Sequence, residues 1–312
     1  MIKEDIENFL KIKIHQTNVD YKIISTSETS HFSRHLIEYY GNEADEIRAY
    51  LFIPKTKKII GSILVHHQHH GERHLGKSEV AGIVGDPFQF FCPALAREGI
   101  ISLAPDSICF EDRRINKKGI EPDPISDNDW LQHYNEMCYR ILNGKTLMQK
   151  VVEDSSIGIS ILLQQQETIK NKVGILGHSY GGNTVIFHSP FDTRINYTCS
   201  SGAVCSYKNK FEFRTGIEMA EVIPNFTTKY DIQDLLKLIA PRELLIVSSS
   251  LDIYSKDAKD IYLSITSSFE ELKWNNSIDH QEFEGEHGLD KQRFDFIINW
   301  FKRKFKELKA SP

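Results

Sequence analysis

Lys172-Val-Gly-Ile-Leu-Gly-His-Ser-Tyr-Gly-Gly-Asn-Thr184 is the stretch on which the reading of this chain turns. Val173 to Leu176 is a short apolar run with the character of a buried strand. It stops at Gly177, and a segment of helical composition opens near Tyr180 with Gly181 and Gly182. The expected local structure is strand, tight turn, helix, with Ser179 at the apex. Gly177, Ser179 and Gly181 fill a G-x-S-x-G pattern. Such a turn strains the serine backbone, needs small neighbours, and lifts the hydroxyl above the sheet edge where a base can reach it.

A serine hydroxyl is a weak nucleophile near neutral pH. It needs a base within hydrogen-bond reach, and the base needs an acid to fix its tautomer. Both should follow in the chain, acid before base. Asp252 lies just past the apolar strand Leu244 to Ser248, at its expected carboxyl edge, where ligands collect in parallel sheets. Asp257 and Asp260 are rivals, but they fall in a helical stretch. His287, in Phe283-Glu284-Gly285-Glu286-His287-Gly288, sits between the last strand-like segment and the last helix. Its rival, His280, begins that strand and should lie toward the other end of the sheet. For an oxyanion, one donor is expected from the Tyr180 backbone N–H and a second from the backbone of Gln68 or His69.

The 312 residues carry a formal net charge of −5, which argues against nucleic acid as a partner. No stretch has the length and apolarity of a membrane span, and residues 1–20 do not read as a secretory signal. Cys92, Cys109, Cys138, Cys199 and Cys205 are an odd number without zinc-like spacing, so reduced thiols in a cytoplasmic protein are expected.

The pattern predicts one domain over 1–312. Residues 1–45 form an N-terminal extension, a helix over 1–17 and then strands; 107–145 is an insertion or lid-like segment. Alternation from Tyr21 to Pro54 predicts antiparallel strands, followed by a strand over 59–66, a helix over 87–97 and a strand over 100–104. Residues 131–166 read as helical and 206–230 as an irregular, aromatic lining of the pocket. Helices are expected over 232–239, 256–264 and 291–308. The fold class is therefore α/β: a mostly parallel central sheet flanked by helices, with antiparallel N-terminal strands. The extension is free to cover the sheet edge or to pair with a second copy, so a homo-oligomer stays open.

His66, His67, His69, His70 and His74 crowd one loop. A metal site is the sharp alternative there, yet adjacent side chains of extended backbone face opposite ways, so no metal is expected. Arg113 and Arg114 are candidates to hold a substrate carboxylate by a bidentate pair. Asp106, at a strand end, is expected to bond nearby backbone.

Over about residues 45–308 the chain resembles the dienelactone hydrolase and acetyl xylan esterase-like branch of the α/β-hydrolase superfamily. The likeness is carried by His67-Gln68, by Gly76-Lys77-Ser78-Glu79 and Gly82, and by Ala94 to Gly99. It continues through Leu103-Ala104-Pro105-Asp106, Gly177 to Gly182, Ile239-Ala240-Pro241-Arg242 and Gly285-Glu286-His287-Gly288. It implies ester cleavage without a cofactor, with Ser179, Asp252 and His287 as the triad and Tyr180 with the Gln68–His69 loop as the oxyanion hole. Dienelactone hydrolases themselves use a cysteine where this chain has serine. That moves the expectation to a carboxylesterase or deacetylase acting on a small-molecule ester. A peptidase or amidase on the same triad, an inert binding module and a metalloenzyme using the histidine loop are the competing readings.

Overall fold

The computed structural model describes residues 2–56, 58–69, 71–271 and 277–307. Nine strands form one sheet: β1 (Lys22–Glu28), β2 (Phe32–Tyr40), β3 (Glu46–Pro54), β4 (Gly61–His66), β5 (Ile100–Pro105), β6 (Val173–His178), β7 (Tyr197–Ser201), β8 (Glu243–Ser249) and β9 (Ile278–Phe283). Their spatial order is β1-β2-β3-β5-β4-β6-β7-β8-β9. β1 to β3 pair antiparallel, β3 pairs antiparallel with β5, and the rest of the sheet is parallel.

The central strands are buried on both faces, which is why they read as unbroken apolar runs. Their period of two still sorts side chains between two layers. Ile63, Val65, Leu176, Leu245 and Val247 pack with α3 (Phe91–Arg97) and α10 (Lys291–Lys306) on one face. Leu244 and Ile246 pack on the other face with α5 (Leu147–Gln164), α6 (Tyr180–His188), α8 (Ile232–Lys237) and α9 (Ala258–Glu271). The remaining helices are α1 (Ile2–Leu10), α2 (Lys77–Val80), α4 (Ser126–Leu142) and α7 (Tyr207–Phe213).

Several boundaries differ from the sequence reading. The first helix stops at Leu10 because Lys11 takes a positive φ of 56°. The segment 87–97 splits into a 3-10 turn at Pro87–Gln89 and α3, with Phe90 between them at a non-helical ψ of 56°. Residues 206–230 hold α7 where irregular chain was expected. The end of the 291–308 helix, Leu308, lies outside the described residues. Among the described residues no helix is long and apolar enough to cross a membrane.

Candidate active site

Because β4 and β6 to β9 run parallel, their carboxyl ends share one edge. Ser179 follows β6 directly, Asp252 follows β8 and His287 follows β9. Ser179 stands between strand and helix with φ 55° and ψ −120°. A non-glycine residue held there costs about 1–3 kcal/mol, which its surroundings must offset. The crossing is tight enough to demand glycine on both sides. A Cβ on Gly177 would lie 2.2 Å from the Gly181 backbone, and one on Gly181 would lie 2.5 Å from the His66 carbonyl oxygen.

The hydroxyl so presented meets a base. His287 Nε2 lies 2.8 Å from Ser179 Oγ, and His287 Nδ1 lies 2.9 Å from Asp252 Oδ1. Asp252 is buried and also accepts from Ser255 Oγ at 2.6 Å and from the Tyr254 N–H at 2.9 Å. Burial pushes its carboxyl up, but the His287 bond and these two donors outweigh that and hold it below its ordinary value. The rivals are engaged elsewhere: His280 Nε2 is 2.9 Å from Ser248 Oγ, and Asp257 accepts from the Ser206 N–H and hydroxyl. Asp260 lies in the first turn of α9.

Tyr180 is the first residue of α6, so no carbonyl of that helix is placed to accept its N–H. Across from it, His67 fixes the loop after β4. The Ser107 N–H donates to His67 Nε2 at 3.1 Å, so the ring proton sits on Nδ1 and is donated to the Gln68 carbonyl at 2.7 Å. Burial brings the His67 imidazole down to about 4, which keeps this neutral tautomer. A trans peptide points its C=O and N–H in opposite directions, so the His69 N–H faces away from His67. The Gln68 side chain is occupied as a donor to Glu79 Oε1 at 3.2 Å.

The other loop histidines are held separately. His66 Nε2 is 2.8 Å from Ser155 Oγ, and His69 Nε2 bonds Glu218 while its Nδ1 accepts the Gly71 N–H. His70 lies outside the described residues. Among the described residues, Asp106, Glu111 and Asp112 are the acidic or histidine groups close enough to share a cation. The Lys77 ammonium sits among them at 2.7, 2.5 and 2.7 Å. Asp106 also accepts the Lys77 N–H at 2.7 Å.

A cavity of about 530 Å³ opens beside Ser179 and His287. Trp130 of α4 and Tyr254 give it aromatic walls; Arg73, Lys210, Glu218 and Glu221 give it charge. Arg113 and Arg114, expected to bind a substrate carboxylate, do not line it, and this expectation is corrected. Arg113 is closed by Asp45, Asp154 and the Asp106 carbonyl, and Arg114 by Asp129 and the Gly119 and Glu121 carbonyls. Their guanidinium groups are buried ion-pair partners with little left to offer a ligand. The four charged wall residues were missed. Arg73 sat in the histidine-rich loop and the other three in 206–230, where the aromatic content was the only signal.

No family model matches the sequence, and no curated protein matches it. Solved structures do. A Bacteroides fragilis protein put forward as an acetyl xylan esterase superposes with a TM-score of 0.77 at 14% identity, covering 97% of this chain and 86% of that one. A glucuronoyl esterase from Solibacter usitatus gives 0.69 at 13%, covering 98% and 92%. Acetyl xylan esterase 1 from Thermoanaerobacterium gives 0.59 at 13%, covering 98% and 93%. At such identities the likeness speaks to architecture, and with the sheet order above it establishes that this chain has the α/β-hydrolase fold, in the form shared with acetyl xylan and glucuronoyl esterases.

Proposed function

We propose that this protein is a serine hydrolase of small carboxylic esters, of carboxylesterase or deacetylase type. One observation carries the reading. Three residues far apart in sequence form a continuous hydrogen-bonded chain, Ser179–His287–Asp252, whose serine is strained into position beside an open cavity.

In this reading Ser179 Oγ attacks the acyl carbonyl as His287 Nε2 takes its proton. His287 returns that proton to the leaving alcohol, and the acyl group is held as an ester of Ser179. Water, deprotonated by His287, then releases the acid. Asp252 stays ionised throughout, orienting His287 and stabilising its positive charge. The Tyr180 and His69 N–H groups are assigned to the oxyanion, which is usually the largest electrostatic contribution. Segment 107–145 is assigned as a cap, since its helix α4 supplies Trp130 to the cavity wall.

The test is hydrolysis of 4-nitrophenyl esters from acetate to octanoate by wild type and Ser179→Ala. Turnover is expected in wild type and a loss of ~10⁴-fold or more in the variant. Undiminished turnover by folded Ser179→Ala would overturn the assignment. Turnover of amides but not esters would move it to an amidase on the same three residues.

A further inference from the structure

The charged groups of the cavity are not equally provided for. Lys210 Nζ meets both carboxylate oxygens of Glu221 at 2.7 Å. Glu218 receives His69 Nε2 and the Met219 N–H. Arg73, only 5% exposed, donates Nε to His133 Nδ1 at 2.9 Å. His133 is buried, and burial brings its imidazole down to about 3, so this partner is neutral. Among the described residues no carboxylate lies within ion-pair distance of Arg73, and its two terminal amino groups have no protein acceptor.

The other buried guanidinium without a carboxylate partner among the described residues, Arg242, has both terminal amino groups closed by the Asp192, Ile195 and Ser189 carbonyls, and the remaining buried cations have a carboxylate. Lys77, Arg114, Arg140, Lys150, Lys210, Arg293 and Lys304 all do. Glu218 acts on Arg73 from a distance, but its oxygens are already engaged. Burial itself works against the guanidinium charge. A purely structural Arg73 would need only Nε, which ties the loop to α4 through His133. Nη1 and Nη2 form a planar fork suited to a carboxylate, on the wall of the cavity that holds Ser179.

We propose that Arg73 is the specificity residue for an anionic group on the substrate, so that the preferred esters carry a carboxylate on either the acyl or the alcohol part. The inference rests on the esterase reading and narrows its substrate class.

Two arms locate the anion. 4-Nitrophenyl hemisuccinate against 4-nitrophenyl butyrate tests an acyl carboxylate, and 4-acetoxybenzoate against its methyl ester tests one on the alcohol. In at least one pair the anionic ester should have the higher kcat/KM, by about tenfold or more. Arg73→Gln should lower that ratio about tenfold or more, and Arg73→Lys should restore part of it. Equal or reversed preference in both pairs, with all four esters hydrolysed, would overturn the proposal and leave the esterase reading intact. If no ester is cleaved, that reading fails alone, and calorimetry of Ser179→Ala with monomethyl succinate and dimethyl succinate decides the anion site. Binding of the monoanion alone supports it; binding of neither, or of both equally, overturns it. Should Arg73→Gln not fold, wild-type selectivity and the same calorimetry suffice.

Discussion

Among the described residues, two serines lie 2.8 Å from a histidine nitrogen with an aspartate beyond it. One is Ser179, with His287 and Asp252. The other is Ser155, whose hydroxyl lies 2.8 Å from His188 Nδ1, while His188 Nε2 is 3.2 Å from Asp192. Residue types and distances are close to identical, yet the two sites are suited to different work. Ser155 sits within α5, and His66 Nε2 approaches its hydroxyl from the far side, also at 2.8 Å. Its hydroxyl is held between the two rings, and the whole chain of groups is buried. Ser179 has one histidine, a backbone forced to positive φ, and an open side. A Ser–His–Asp arrangement becomes a candidate for chemistry through placement at the sheet edge, not through composition.

Exchanging the two aspartates for asparagine should separate the sites most sharply. Asp252→Asn should lower kcat/KM by ~10⁴-fold, because the histidine loses its tautomer and its counter-charge. Asp192→Asn should leave turnover within a few-fold but cost about 3 kcal/mol in urea unfolding, because Arg194 and His188 lose their buried carboxylate. A comparable rate loss in both variants would break the distinction.

A smaller effect is expected from Ser155→Ala. Two buried ring nitrogens lose their shared partner, for about 1–3 kcal/mol of stability. A fluorophosphonate probe should still label this variant, with mass spectrometry locating the adduct on Ser179. An adduct on Ser155 in wild type would reverse the assignment of the two serines.

A last effect, of similar size, concerns pH. Burial lowers His66 and His67 and so disfavours their protonation in the folded chain. Their contribution to stability is lost as pH falls below about 6.5, the ordinary histidine value. Glu79 opposes them. Burial raises its carboxyl to about 7, so the folded chain holds that proton while the unfolded chain has lost it, and stability rises as pH falls from 7 toward 4.5. Glu79→Gln removes the opposing contribution. Its melting temperature should drop more steeply than wild type between pH 7 and 5, by the equivalent of about 1–3 kcal/mol across the window. Parallel curves would show that Glu79 does not titrate there.

The legible parts of the molecule are those under strong local constraint. Gly177, Ser179 and Gly181 were readable because that turn admits few residue types, Asp252 because it follows a strand whose apolar run could be recognised, and His287 because it lies between a short strand-like segment and the last helix. The antiparallel opening was visible in the alternation of β2 and β3. Arg113 and Arg114 misled because a charge run says nothing of its partners. Those partners come from 68, 41 and 15 positions away, at Asp45, Asp154 and Asp129. Arg73, Lys210 and Glu218 were missed for the converse reason. They occupy short loops and α7, where no periodicity reports which way a side chain faces.

The contact at Gly181 separates two functions that share one cavity. The gap between the elbow and the β4 loop is set by main chain touching main chain, with no side chain between them to trim or enlarge. On the proposed reading, the geometry assigned to the electrophile is therefore set by backbone, whichever residues line the cavity walls. On that reading Arg73, Trp130 and Tyr254 can be exchanged to alter what enters, while the backbone contact between Gly181 and the β4 loop stays the same. Recognition here can be retuned like a lock whose bolt is cast in the frame.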